Sequence, residues 1–389
     1  MNDFIYMDNA ATTFPKPPGV LEDALKFYQA YGVNPGRSGS DLAQEAEGLV
    51  SEARKSLTSF FGADGSPDRL VFTQNASDSL NIAIQGVLRK GDHVVTTCLD
   101  HNSVLRPIYH LAKYEGIEAT YLPFDAMGYI DPDAVRQAIR PHTKLVVMTH
   151  ASNVLGTVQP VSEIGELCRA RGILFCVDVA QTAGMIPIDM EDMRADILCF
   201  TGHKSLMGPT GIGGMYVREG VDVAPLRYGG TGVQSEYPDH LEAYPWRLEC
   251  GTANLMGIAG LLYGKKWIAR EGLGNIHARE KSLLRHLVAG LREIRGVMLY
   301  GADNLTDHVP VLSINVSGMT ANNVGTLLDV KFNVATRTGL QCAPRVHEQL
   351  GTHDLKGTVR ISLGPFNTKT QVDLVIGALA DISTRHGKP

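Results

Sequence analysis

No two cysteines of this chain stand in a CxxC pair. The six, at positions 98, 168, 176, 199, 250 and 342, are scattered, and a chain of this length does not need a disulfide framework, so a reducing compartment is the simple expectation. None of the 13 histidines forms an HxH or HxxxH pair, which argues against a structural metal site. No apolar run approaches the ~20 residues of a membrane span. The start, Met1-Asn2-Asp3-Phe4, is neither basic nor apolar; it carries no export signal, and a cytoplasmic location is expected. The net charge of −5 gives no basic surface for nucleic acid. Internal repeats and low-complexity linkers are also missing.

What remains is an ordinary globular composition, 44% apolar and 20% charged. At 389 residues the chain exceeds one ordinary core, so a large domain with a smaller partner is expected. Short apolar runs at 69–73, 93–97, 118–122, 144–149, 173–178, 196–200 and 212–217 read as strands. Helical stretches, among them 102–115 and 161–171, separate several of them. Earlier helices are read over 16–31 and 40–61, the second from the spacing of Leu42, Ala46, Leu49, Val50, Ala53, Leu57 and Phe60. The alternation predicts an α/β fold, a mostly parallel seven-stranded sheet flanked by helices. Residues 218–252 lose all periodicity and read as one long functional or disordered loop. Helices resume at 253–272 and 274–295. A smaller C-terminal α+β unit follows, with strands near 309–316, 333–336 and 357–363 and helices near 320–330, 344–350 and 369–385. The expected division is 15–264 and 265–389, with residues 1–14 packing on the second unit.

Ligands of parallel sheets bind beyond the carboxyl ends of strands. Asp178 ends one apolar run, and Lys204 follows another in Thr201-Gly202-His203-Lys204. A lysine that can bond to an aldehyde and an acid that can hold a pyridine nitrogen protonated are what pyridoxal phosphate needs. Asn75-Ala76-Ser77 opens a helix. Ser77 alone reads as an ordinary N-cap, but beside Lys204 the free N–H groups suit the phosphate. Thr201 either caps its strand or, with His203, reaches a phosphate oxygen. His101 could stack on a planar ring. Ala180 is small enough to lie against a ring face, and Gln181 could bond the ring hydroxyl. Asn153 could bind that oxygen or a substrate carboxylate. Arg360 is a charge inside an apolar strand, either paired internally or gripping a carboxylate. Cys342 sits in the polar, glycine-containing stretch Arg337 to Pro344, read as a loop. It is the one cysteine in a context suited to a reactive thiol, with Arg337 or Arg345 available to favour the thiolate. Gly208 to Gly214 is glycine-rich but precedes a strand, which excludes a dinucleotide fingerprint.

These residues resemble the fold-type-I pyridoxal-phosphate enzymes of the class V aminotransferase family, and within it the second group of cysteine desulfurases, which includes selenocysteine-lyase-like enzymes. The likeness runs almost end to end. It covers Tyr6 to Thr13, Asn34-Pro35-Gly36-Arg37, Asp178-Val179-Ala180-Gln181, Thr201 to Lys204, Gly251-Thr252-Ala253-Asn254, Arg337 to Cys342, and Arg360 to Thr368. The resemblance implies a homodimer with its site at the interface, where Thr252 reaches the phosphate of the partner's cofactor. It implies that His101 stacks on the ring and that Ala76, Ser77, Thr201 and His203 hold the phosphate. Arg360 and Asn153, with Arg337, would bind the substrate carboxylate. The implied reaction takes L-cysteine to L-alanine and leaves a persulfide on Cys342 for a sulfur-acceptor protein, with Lys204 as base and His101 as a candidate proton relay. Alternatives are a selenocysteine lyase, another pyridoxal-phosphate lyase or aminotransferase, or a non-catalytic sulfur-carrying scaffold. The second group commonly has histidine where this chain has Leu340 and Gln341, and often serine at the position of Thr201.

Overall fold

The computed structural model describes residues 4–36 and 39–387; Arg37 lies outside the described residues. The first part of the chain runs β1 (Ile5–Tyr6), α1 (Val20–Tyr31), α2 (Asp41–Phe60), β2 (Leu70–Thr73), α3 (Ala76–Val87), β3 (His93–Thr97), α4 (Asn102–Tyr114), β4 (Glu118–Leu122), α5 (Pro132–Ala138), β5 (Thr143–Thr149), α6 (Val161–Ala170), β6 (Leu174–Asp178), β7 (Ile197–Thr201) and β8 (Gly213–Val217). The second part runs α7 (Leu255–Glu271), α8 (Leu273–Arg292), β9 (Val297–Tyr300), β10 (Val311–Val316), α9 (Ala321–Phe332), β11 (Val334–Ala335), β12 (Arg337–Gly339), α10 (Pro344–Leu350), β13 (Thr358–Ser362) and α11 (Lys369–His386).

Seven strands form one sheet in the order β2-β8-β7-β6-β5-β3-β4. Only β8 runs against its neighbours. The central strands β6, β7 and β8 are buried almost throughout, as expected where helices cover both faces, while β4 at the edge is mostly half-buried. A four-stranded antiparallel sheet, β12-β13-β10-β9, follows. It has its own apolar cluster, built on Leu284, Leu287, Leu312, Ile314, Val359, Ile361 and Leu379. The N-terminal strand joins this second unit: β1 pairs in parallel with β11, Ile5 opposite Val334, and Ile5 and Met7 fill its core.

The seven expected strands of the large sheet are all present. Helix α1 begins at Val20 rather than 16, because Pro15, Pro17 and Pro18 hold the preceding residues away from helical geometry. Leu42, read with the buried stripe of α2, is 45% exposed; the inward position is taken by Ala43. Short elements without a clear period, β1, α5 and β9, escaped the sequence reading. The stretch from Arg337 was read as loop, but its first three residues are β12, paired to β13. Residues 218–254 contain no helix or strand. The segment is nonetheless tied down: Arg54 forks onto Glu249 at 2.8 and 2.6 Å, and Arg69 lies over the Tyr244 ring at 3.7 Å.

Candidate active site

A cavity of about 280 Å³ opens where the carboxyl ends of the large-sheet strands meet the N-terminal segment and the paired strands β12 and β13. Its lining gathers Ala76, Ser77, His101, Asn153, Asp178, Ala180, Gln181, Thr201, His203, Lys204, Arg337, Cys342 and Arg360. Of the candidates named from the sequence only Thr252, which is exposed on the surface, and Arg345 are absent from that lining.

Asp178 ends β6, and Lys204 follows β7, the strand paired beside it. Burial raises the Asp178 carboxyl above its ordinary value, opposed by the Ala180 N–H, which donates to Oδ1 at 2.9 Å, and by the Lys204 charge. Burial lowers Lys204 from 10.5 to about 8, although Asp178 pulls the other way. An amine with that value is partly unprotonated near neutral pH and can accept a proton.

His101 caps the start of α4. Its Nδ1 accepts from the Ser103 N–H at 3.1 Å, so the proton of the neutral ring sits on Nε2. Burial and the charges of Lys204, Arg360 and Arg106 lower its pKa to about 4, so the ring is neutral across the physiological range. The preceding residue fixes this corner. Asp100 is fully buried and accepts from the Thr96 hydroxyl, the Thr97 N–H and hydroxyl, and the Thr149 N–H, at 2.7–2.8 Å. It therefore locks the end of β3 to the end of β5.

The other end of the cavity is suited to an anion. Asn75, not Ser77, caps α3, its side chain accepting from the Asp78 N–H at 3.0 Å. The helix itself leaves the N–H groups of Ala76 and Ser77 without acceptors. A Cβ at Gly213 would stand 2.7 Å from the Asn75 Cα, so glycine lets β8 pass directly beneath this turn. Facing it, the Thr201 hydroxyl and His203 Nδ1 are buried and have no hydrogen-bond partner. A buried polar group left so costs about 1–3 kcal/mol, and a phosphate oxygen would satisfy it.

At the opposite end Arg360, 3% exposed, donates from Nη2 to Asp8 Oδ1 at 2.6 Å and from Nη1 to the Asn153 carbonyl at 3.1 Å. Its buried Nε has no partner. The internal pairing expected as one reading of this residue is present, and one donor stays free. Asn153 donates to the Gln341 carbonyl at 2.7 Å. Cys342 is exposed at the mouth of the cavity. Arg337 lines the cavity with it, but Arg345 turns away over the Tyr121 ring at 3.8 Å and is not placed to assist the thiol. The other five cysteines are free as well.

Four contributors escaped the sequence reading. Asp8 lay within a recognised motif without a role; only the fold brings it to Arg360. Asn75 adjoins the candidate Ala76 and Ser103 lies two residues past His101, and neither carried a role of its own. Lys16, whose amine donates to the His203 carbonyl at 2.6 Å, carried no signal, because its segment is distant in sequence. Among the described residues no group of three His, Cys, Asp or Glu side chains could hold a metal ion, and no helix is long and apolar enough to cross a membrane.

Comparison with known proteins places nearly the whole chain in one family. The family model described as "Aminotransferase class-V" matches residues 5–375. A probable cysteine desulfurase of Pyrococcus abyssi is 36% identical over 98% of this chain and 94% of its own length. A cysteine desulfurase of Haloferax volcanii is 32% identical over 96% and 88%. Among solved structures, the apo cysteine desulfurase of Thermococcus onnurineus superposes with a TM-score of 0.90 at 36% identity, covering 98% of this chain and 95% of that one. An Escherichia coli cysteine desulfurase solved in an S-sulfonic acid form gives a TM-score of 0.87 at 28% identity, covering 98% and 95%.

Proposed function

The chain belongs to the aminotransferase class-V family, and on that premise we propose how its cavity works: as a pyridoxal-phosphate-dependent cysteine desulfurase that converts L-cysteine to L-alanine and receives the sulfur on Cys342. The observation that carries this reading is the meeting, in one cavity, of Lys204, the buried acid Asp178 and the exposed Cys342 thiol. The residues fit the cofactor, because the orphaned Thr201 hydroxyl and His203 Nδ1 face the free N-terminus of α3.

Bound pyridoxal phosphate supplies an aldehyde for the substrate amine and a ring that draws electrons from the substrate Cα. Ala76, Ser77, Thr201 and His203 would hold its phosphate, Asp178 its ring nitrogen and Gln181 its ring hydroxyl, with His101 and Ala180 beside the ring. Arg360 binds the substrate carboxylate through its free Nε, aided by Asn153 and Arg337. Lys204, freed as an amine, removes the Cα proton. The Cys342 thiolate attacks the substrate sulfur; the S–S bond forms as the C–S bond breaks. The electron pair stays on carbon; Cβ takes up a proton and Cα regains the one that Lys204 removed, giving alanine. His101, with its proton on Nε2, is the relay for that exchange.

The functional unit is a homodimer in which Thr252 reaches the partner's cofactor. In support, Leu21, Leu25 and Tyr28 form an exposed apolar stripe along α1. A cytoplasmic location suits a thiol that has to stay reduced.

Mass spectrometry after exposure to L-cysteine should find one added sulfur on Cys342. Cys342→Ala should lose at least about 100-fold in sulfide release from L-cysteine, and less from L-selenocysteine, whose selenium leaves more readily. Equal losses on both substrates would speak against sulfur transfer through the thiol, and an unchanged rate with cysteine would remove Cys342 from the mechanism.

A further inference from the structure

The thiol of Cys342 stands on strained backbone. Gln341 and Cys342 are both in the left-handed region, with φ of +40° and +58°, and follow Gly339 at +99°. Neither is glycine, so each costs on the order of 1 kcal/mol or more. Two consecutive residues of this kind persist only where the surroundings over-determine them.

The holding device is beneath the loop. The Gln341 side chain is buried, 4% exposed. Its Nε2 donates to the Thr358 carbonyl on β13 at 2.8 Å, which fixes the orientation of the amide, since a carbonyl only accepts. Its Oε1 accepts from His347 Nε2 at 2.8 Å. His347, fully buried on α10, accepts at Nδ1 from the Thr352 hydroxyl at 2.9 Å. The loop backbone is gripped as well: the Gln341 carbonyl by Asn153, and the Cys342 carbonyl by the Asn102 N–H at 2.7 Å. Beyond the loop, Ala343 and Val346 pack into the large core, and Gln349 bonds Phe124 at both its N–H and its carbonyl.

We propose that Gln341 and His347 are positioning residues for Cys342: the buried amide–imidazole pair holds residues 341–342 in their left-handed conformation and so presets where the thiol meets the substrate sulfur. This rests on the reading of Cys342 as the sulfur acceptor. The pair links the small sheet to the large core immediately under the thiol, and Asn102, which grips Cys342, is the neighbour of His101.

The test compares Gln341→Leu, which keeps bulk and loses the hydrogen bonds, with Gln341→Gly, which also relieves the backbone strain. In single turnovers with L-cysteine, both should form the Cys342 persulfide about 10- to 100-fold more slowly. KM and cofactor absorbance should stay close to wild type, while the melting temperature falls by a few degrees because His347 Nε2 and the Thr358 carbonyl lose their partner. Alkylation of Cys342 by iodoacetamide in the resting enzyme should change in both. Wild-type persulfide rates in both variants would overturn the proposal. So would recovery in Gln341→Gly alone, or a uniform loss of stability and cofactor, which would mark a merely structural role. The wild-type protein gives a reading that needs no variant: the Asn102 and Ala343 amide hydrogens should exchange slowly, and exchange as fast as in unstructured peptide overturns the anchor. Cys342→Ala in the same assay separates the two layers, since full sulfide release by that variant would sink the acceptor reading itself.

Discussion

Replacing Glu280 by glutamine should remove a loss of stability that sets in toward alkaline pH. Glu280, on α8, is fully buried, and neither carboxyl oxygen has a hydrogen-bond partner. Around it lie Asn9, Thr13, Gln181, Ser205, Ser362 and the Val309–Val311 and Leu363–Pro365 segments; the one charge that bears on it is Arg279. Burial raises its pKa from 4.5 to about 8. The folded state therefore holds a proton that the unfolded state has released between those values, and stability falls by about 1.4 kcal/mol per pH unit across the interval. The stabilisation relative to the ionised form is complete below pH ~4.5 and gone above pH ~8, of order 5 kcal/mol in all. Glutamine cannot ionise and removes this slope, although its amide is no better satisfied. Urea unfolding at fixed protein and cofactor concentration, from pH 5 to 9, should show the variant equal to or below wild type at pH 5 and above it at pH 9. Parallel pH profiles for the two proteins would refute the assignment of an unpaired, neutral acid at this junction.

Other outcomes follow from the same accounting. Thr201→Val removes an orphaned hydroxyl, so the apo protein should gain about 1 kcal/mol in urea unfolding while cofactor affinity, titrated by absorbance, falls about 10-fold. Arg54→Met leaves Glu249 with a single donor, the Phe72 N–H. It should cost about 3 kcal/mol and raise proteolytic cleavage within 218–254; an unaltered cleavage pattern would show that the segment is held elsewhere.

The large sheet was legible because its strands are short apolar runs at regular intervals, a pattern that survives without any knowledge of neighbours. Asp178 and Lys204 stood out for the same reason, since the ends of such strands are where chemistry gathers. The residues that escaped are those defined only by distant partners. Asp8 reaches Arg360 across 352 positions, and Lys16 reaches His203 across 187. β12 was hidden because a three-residue edge strand, Arg337-Thr338-Gly339, has no measurable period. Arg345 misled because adjacency in sequence to Cys342 carries no direction, and its guanidinium found a tyrosine face instead.

Asp8 gives the sharpest test of how the carboxylate end is tuned. Arg360 is buried with Asp8 as its ion-pair partner, so a substrate carboxylate bound there, as proposed, would share a cation already neutralised and also meet the Asp8 charge. Two like charges around one guanidinium would weaken that binding. Asp8→Asn keeps an oxygen acceptor in place and removes the charge. The empty site then contains an uncompensated buried cation, which should lower folding stability by about 1–3 kcal/mol. The same imbalance should favour the anionic substrate, lowering KM for L-cysteine on the order of several-fold, with kcat changed less. Steady-state kinetics at matched cofactor occupancy decides between this and the alternative, in which Asp8 only aims the guanidinium. In that case misorientation would raise KM, and the electrostatic account of the Asp8–Arg360 pair would fail.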